Sequence, residues 1–229
     1  MTTSKEPDSL PQSSTSQYQS NSTSSPSGGE ARTDTIIPPW EAGYENVDRE
    51  TLLKTGVSFI LQALDVPLED RNFKDTPQRY ANFIKELFWS PKPSITTFPE
   101  QHDQMVILRG HECWTLCPHH LLPVRFNFAA AYIPRGSVLG VSKLARLFDE
   151  VNTMPLMQET VTDLLCEKLY ELTGSMGAGV VMRGEHLCMK MRGIKSPADM
   201  VTSKVLGVIS SNPQARNEFL QFVAHPLMR

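Results

Sequence analysis

The chain has 229 residues, a formal net charge of -3 and 40% hydrophobic residues, enough apolar material for one good core. A slightly acidic total excludes the broad basic face that nucleic acid or an anionic membrane would require, and no apolar run approaches the roughly 20 residues that span a bilayer. Cys113, Cys117, Cys166 and Cys188 are too few and too irregularly spaced for a disulfide scaffold in a chain of this length.

Residues 1–40 are dominated by Ser, Thr, Gln, Pro and Gly. Such a stretch buries too little apolar surface to offset the entropy of ordering, so a disordered tail is expected there. It lacks the charged-then-apolar layout of a signal peptide, and the cytoplasm is the expected location. Residues 41–100 read as a helical region. Leu52, Leu53, Val57, Ile60, Leu61 and Leu64 recur at helical spacing, which predicts a first amphipathic helix. A second opens at Thr76-Pro77, with Thr76 as N-cap and Pro77 at the first helical position.

Residues 101–229 change in texture. The segment MVILRG reads as one strand, and VRFNFAAAYIP as a long strand ending near Pro134. SVLGVSKLARLFDEV is a short strand or turn followed by a helix. LMQETVTDLLCEKLYELTG is a longer helix that Gly174 stops. GAGVVMRGEHLCMKMRG and MVTSKVLGVI predict two more strands, and Asn212-Pro213 opens a last helix. Paired helices between strand pairs predict an α+β domain, an antiparallel sheet with helices on one face.

The densest chemical signal is Cys117-Pro118-His119-His120, with His186-Leu187-Cys188 about 70 residues later. Zinc prefers thiolate and imidazole, and a catalytic site uses three protein ligands with one open position. Two cysteines and one histidine meet that need. On a strand, His186 and Cys188 would point to the same face, one as ligand and the other as acid/base. The alternative is that Cys188 is a small buried hydrophobe and the histidines are satisfied polar residues. Cys166 falls on an apolar helix face and reads as core. Cys113 lacks a second well-spaced partner.

Ser142, Lys143 and Arg146 stand at a helix start, where Ser142 can cap and exposed N–H groups favour an anion such as a triphosphate. A solvated basic patch is the competing reading. The carboxylate of Glu159, beside Gln158, suits the N1–H and 2-amino donors of guanine, or is an ordinary exposed acid. Arg192 suits a phosphate or a neighbouring acid.

Taken together these segments resemble the GTP cyclohydrolase I family. The match runs from Asp75-Thr76-Pro77-x-Arg79 to Arg216-x-Glu218-Phe219-Leu220. It includes C-x-H-H-L-L-P at 117–123, A-Y-I-P at 131–134 and V-L-G-V-S-K-L-A-R at 138–146. M-Q-E at 157–159, H-L-C-M-K-M-R-G at 186–193 and T-S at 202–203 complete it. The resemblance implies the tunnelling fold (T-fold) preceded by N-terminal helices. It implies a homodecamer of two stacked pentamers with active sites between subunits. It also implies Zn2+ held by Cys117, His120 and Cys188, with His119 and His186 as the acid/base pair. Gln158 and Glu159 would hold the base, and Ser142, Lys143, Arg146 and Arg192 the triphosphate. The implied reaction hydrolyses C8 of GTP to formate and forms 7,8-dihydroneopterin triphosphate, the entry to tetrahydrofolate and tetrahydrobiopterin synthesis.

The chain departs from the family pattern at four places. Pro118 replaces the usual Glu, Phe126-Asn127 a Gly-Lys, and Asn152-Thr153-Met154 a Ser-Arg-Arg. The loop IKSPADMVTS is one residue short and lacks the usual Ser-x-Thr. Two alternatives therefore stand beside the primary expectation. One is a cyclohydrolase with an altered guanine-nucleotide substrate. The other is a non-catalytic or regulatory subunit in the ring of an active homologue.

Overall fold

A computed structural model describes residues 47–89, 91 and 94–224; the tail expected over residues 1–40 lies outside them. Helix α1 (Arg49–Ala63) starts at Asp48, whose carboxylate accepts from the N–H groups of Glu50 and Thr51 and so satisfies two orphan donors of the first turn. Its apolar positions pack weakly. Only Val57 is buried, while Ile60 and Leu64 are 60% and 67% exposed. Helix α2 (Thr76–Phe88) carries Pro77 in its first turn, but Asp75 rather than Thr76 takes the cap position. Ile84 and Phe88 of α2 pack with Leu53 of α1 against Leu116.

Four strands form the main sheet, β2 (Val106–Leu116), β3 (Pro123–Ile133), β5 (Gly177–His186) and β6 (Met200–Gly207), in the order β2-β3-β5-β6 with every neighbour antiparallel. The first strand runs past Gly110, where the expected strand stopped. A register shift between Leu108 and His111 absorbs the glycine, whose φ is +70°, and pairing resumes through HECWTL as a bulged strand. A two-stranded pair, β1 (Thr97–Pro99) and β4 (Ser137–Leu139), lies outside this sheet.

Helices α3 (Val141–Val151) and α4 (Gln158–Thr173) cover one face. Alternation along β3 sends Phe126, Phe128, Ala130 and Tyr132 into that core with Leu144, Leu147, Phe148, Leu165 and Leu169. Cys166 is fully buried there, as expected of a core residue. Ala131 and Ile133 point to the other side and meet Ile209 and Phe219. Ile209 belongs to the short α6 (Val208–Ser211) and Phe219 to α7 (Pro213–Ala224), so one end of the opposite face is covered as well. Burial on both faces explains why the second half of β3, from Phe128 to Ile133, reads as continuous hydrophobic sequence, while Arg125 and Asn127 in its first half stay exposed. The arrangement is α+β, an antiparallel sheet with two helices on one face, as the sequence predicted. Among the described residues no helix is long and apolar enough to cross a membrane.

Candidate functional site

The loop between β2 and β3 is closed by its own backbone. Cys117 N–H donates to the Leu122 carbonyl at 2.8 Å, and Leu121 N–H donates to the Cys117 carbonyl at 2.8 Å. Leu121 adopts a left-handed conformation, φ +51°, which turns the chain back so that Leu116 pairs with Pro123. Pro118 fixes one torsion at the loop's start. The result is a short rigid turn carrying Cys117, His119 and His120. The Cys117 sulfur lies 3.5 Å from His120 Nδ1 and 4.0 Å from His119 Nδ1.

Cys188 does not share a strand face with His186, as the spacing predicted. Strand β5 ends at His186, and Leu187–Lys190 form a single helical turn, α5. That turn carries Cys188 round to the β2–β3 loop. The ligand atoms of Cys117, His120 and Cys188 all lie within 4.8 Å of one another. Bonds of about 2.3 Å to sulfur and 2.0 Å to nitrogen around a tetrahedral ion would separate such atoms by roughly 3.5–3.8 Å, so a small contraction suffices. Burial, and then the adjacent Cys117 thiol, hold the Cys188 thiol above its ordinary range. A bound cation would reverse that balance for Cys188. Two thiols and an imidazole suit a borderline-soft ion, so the three form a candidate metal site with room for a further ligand.

Around it stand other predicted residues. Arg192 Nη1 lies 2.9 Å from His120 Nε2. His186 closes β5, with its Nε2 2.9 Å from Gln158 Oε1. Burial lowers its pKa, an effect that the charge of Glu159 opposes. Glu159 is exposed in the first turn of α4. Gln158, its neighbour, is not available to a ligand in the same way. It is 2% exposed, and its Nε2 donates to the Met182 and Met200 carbonyls and to Thr202 Oγ1, each at 3.1 Å.

Ser142, Lys143 and Arg146 sit on α3, but Ser142 does not cap it; Gly140 takes that position without a side-chain bond. Ser142 and Arg146 line a separate hollow of about 590 Å³ together with His111, Cys113 and Asp149. None of Cys117, His120, Cys188 or His186 lines it. Asn152, just past α3, donates to the Trp114 carbonyl at 3.2 Å, and its side-chain oxygen accepts from Thr115 at 2.8 Å. The C-terminal end of α3 is thereby fixed to the Cys117 end of β2. Ten residues of helix then put Ser142 about 15 Å away along the axis. Within one chain Ser142 and Arg146 on α3 stand apart from the metal set, whereas Arg192 touches it.

Sequence reasoning missed the supporting residues. Thr202 stands out only in the T-S match and Asn152 only as a departure from the family pattern, and neither they nor Gly184 disclose the contacts they make, which come from elements far away in the chain.

A model of the family described as GTP cyclohydrolase I matches residues 53–224. The chain belongs to that family. It is 35% identical over 195 residues to the GTP cyclohydrolase 1 of Synechococcus sp. (strain JA-3-3Ab), covering 81% of this chain and 85% of the relative. The enzyme of that name from Alkalilimnicola ehrlichii is 37% identical, with 73% of this chain and 94% of the relative covered. For Listeria monocytogenes serotype 4b the values are 35%, 79% and 99%. The relatives are thus spanned almost end to end, and the family is one of hydrolytic enzymes.

Proposed function

We propose that this chain is a zinc-dependent GTP cyclohydrolase I that hydrolyses C8 of GTP to formate and yields 7,8-dihydroneopterin triphosphate. The observation that carries the reading is the convergence of Cys117, His120 and Cys188 within 4.8 Å, in a chain of this family, beside two further histidines. The three residues would hold zinc, which supplies Lewis acidity and an acidified water near neutral pH.

The chain's own groups do the rest. His186 and His119 move protons, His186 from a half-buried position and His119 from an exposed one. Glu159 accepts from the N1–H and 2-amino groups of guanine, a donor pair that adenine lacks. Arg192, exposed beside His120, is placed to pair with a phosphate. Ser142, Lys143 and Arg146 hold the triphosphate, and their distance from the metal set within one chain supports a site completed by a neighbouring chain. A homodecamer of two pentamers is the assembly we propose, acting in the cytoplasm at the entry to tetrahydrofolate or tetrahydrobiopterin synthesis.

The test is purified full-length protein with GTP, with formate release, pterin fluorescence after oxidation and zinc content measured together. About one zinc per chain with both products bears the reading out. Formate without pterin places the block after ring opening. Zinc without turnover, with activity appearing only in rings mixed with an active homologue, would make the chain a non-catalytic subunit. Equal rates with GTP and GMP would sink the triphosphate assignment.

A further inference from the structure

We propose that Gln158 is a positioning residue that sets the tautomer of His186, in space that Gly184 leaves open, and is not a contact for the purine base. The inference rests on the reading that His186 moves a proton in the reaction.

The hydrogen-bond roles around Gln158 are fixed by groups that have no choice. Main-chain carbonyls only accept, so the two that Gln158 meets, of Met182 and Met200, demand its amide nitrogen on that side. The third partner agrees. Thr162 donates its hydroxyl hydrogen to the Gln158 carbonyl at 2.8 Å, which leaves Thr202 to donate to Thr162 across 2.6 Å. Thr202 Oγ1 is then an acceptor for Gln158 Nε2. Two amide hydrogens face three acceptors, and none is left for a ligand. The amide oxygen is turned the other way, to His186 Nε2 at 2.9 Å. An amide oxygen only accepts, so His186 Nε2 must carry the hydrogen. The neutral ring therefore keeps Nδ1 bare, and that is the atom able to take a proton.

Gly184 makes this contact possible. A Cβ there would stand 2.0 Å from Gln158 Oε1 and 3.0 Å from His186 Nε2. Opposite it in the ladder is Phe126, whose ring lies edge-on to His186 at 6.4 Å between centroids. The imidazole is thus held by the amide, with an aromatic wall beside it. Base recognition falls to Glu159, which shares the same helical turn but points to solvent.

Two variants and one spectrum test this. Gly184→Ala keeps every polar group of the network and displaces the amide; Gln158→Met keeps length and removes the polar atoms. Each should lower kcat on the order of tenfold or more, with KM for GTP and the preference for GTP over ITP unchanged. The double variant should be no slower than the slower single one. A raised KM or a relaxed GTP preference with kcat kept would overturn the proposal in favour of a base contact. Zinc content and melting temperature of each variant check that it folds. The tautomer is read independently of turnover in full-length, zinc-loaded protein labelled with 15N-histidine, with His186→Asn assigning the signal. A protonated Nε2 and bare Nδ1 are expected, and a bare Nε2 overturns the inference even in an active enzyme. Protein that shows the expected tautomer yet makes no formate would retain the positioning role and overturn the proposed activity.

Discussion

Val124 stands directly opposite His186 in the β3–β5 ladder. Through that pairing the loop just before β3 and the helical turn just after β5 emerge at the same end of the sheet. Cys117 and His120 ride on the loop and Cys188 on the turn. A slip of one residue in this register would turn His186 to the other face, so the ladder fixes the site's composition as well as its position.

The trio predicts a sharp separation between metal binding and folding. Cys188→Ser should reduce bound zinc well below one per chain and lower formate release by at least about a hundredfold. Cys188 is half-buried and packs against the edge of the main core, and serine is nearly its size, so the melting temperature should move little beyond the loss of the ion's own stabilisation. Chelation of the unaltered protein should abolish activity, and added zinc should restore it. Full zinc content in Cys188→Ser, measured by elemental analysis, would remove Cys188 from the ligand set.

Asn152 predicts the opposite pattern. It is 3% exposed and links three elements, donating to the Leu87 and Trp114 carbonyls and accepting from Thr115. Asn152→Ala leaves all three partners short of a bond in a buried place, a cost of about 2–4 kcal/mol. The melting temperature should fall by roughly 5–15 °C, with zinc content kept. Unchanged melting would mean that water replaces the amide.

These two residues mark the limit of what the sequence discloses. CPHH and HLC together point to a candidate metal site, because two thiols and an imidazole in one domain are a donor set that zinc prefers. Asn152 announces nothing, since a buried amide that ties three elements together looks like any loop asparagine. Strand periodicity revealed β3 and β6 but misread HLCM, where four residues are too few for period 2 to be told from a helical turn. The strand before Cys117 was cut short at Gly110, because a bulge glycine and a terminating glycine look alike until the partner strand is known. Gln158 went to the base by resemblance, and only the distant Met182, Met200 and Thr202 show its amide committed elsewhere.

Glu159 predicts a change in affinity. Glu159→Gln removes one acceptor from the proposed guanine contact and presents an amide N–H in its place. KM for GTP should rise and kcat/KM fall by roughly a hundredfold, while zinc binding stays as it was. Steady-state kinetics with GTP and ITP check this. An unaltered KM would return Glu159 to the role of an ordinary exposed acid.

The ion-pair cluster of Arg183, Glu185, Lys190 and Asp199 predicts acid sensitivity. Arg183, then Lys190, hold the Asp199 carboxyl below its usual range, and Lys190, with Arg125, does the same for Glu185. Groups with a depressed folded pKa bind protons more readily when unfolded. Their stabilisation is present above the ordinary carboxylate range and is lost as pH falls below about 4–5. Asp199→Asn should flatten the decline in melting temperature between neutral pH and pH 3, mainly by lowering the neutral value. Parallel curves for the two proteins would show that the pair contributes nothing.

The separation of Ser142 from the Cys117 end of β2 has a consequence for inheritance and dosage. Where one chain lends the phosphate clamp and its neighbour the metal, each chain belongs to two reaction centres. A copy damaged at both ends would silence its own centre and the one next door, so a minority of bad copies would remove more than their share of activity. Copies damaged at opposite ends, one Arg146→Ala and the other Cys188→Ser, would rescue each other when mixed. A poisoning effect and a rescue effect from the same pair of lesions would be the genetic signature of a shared centre.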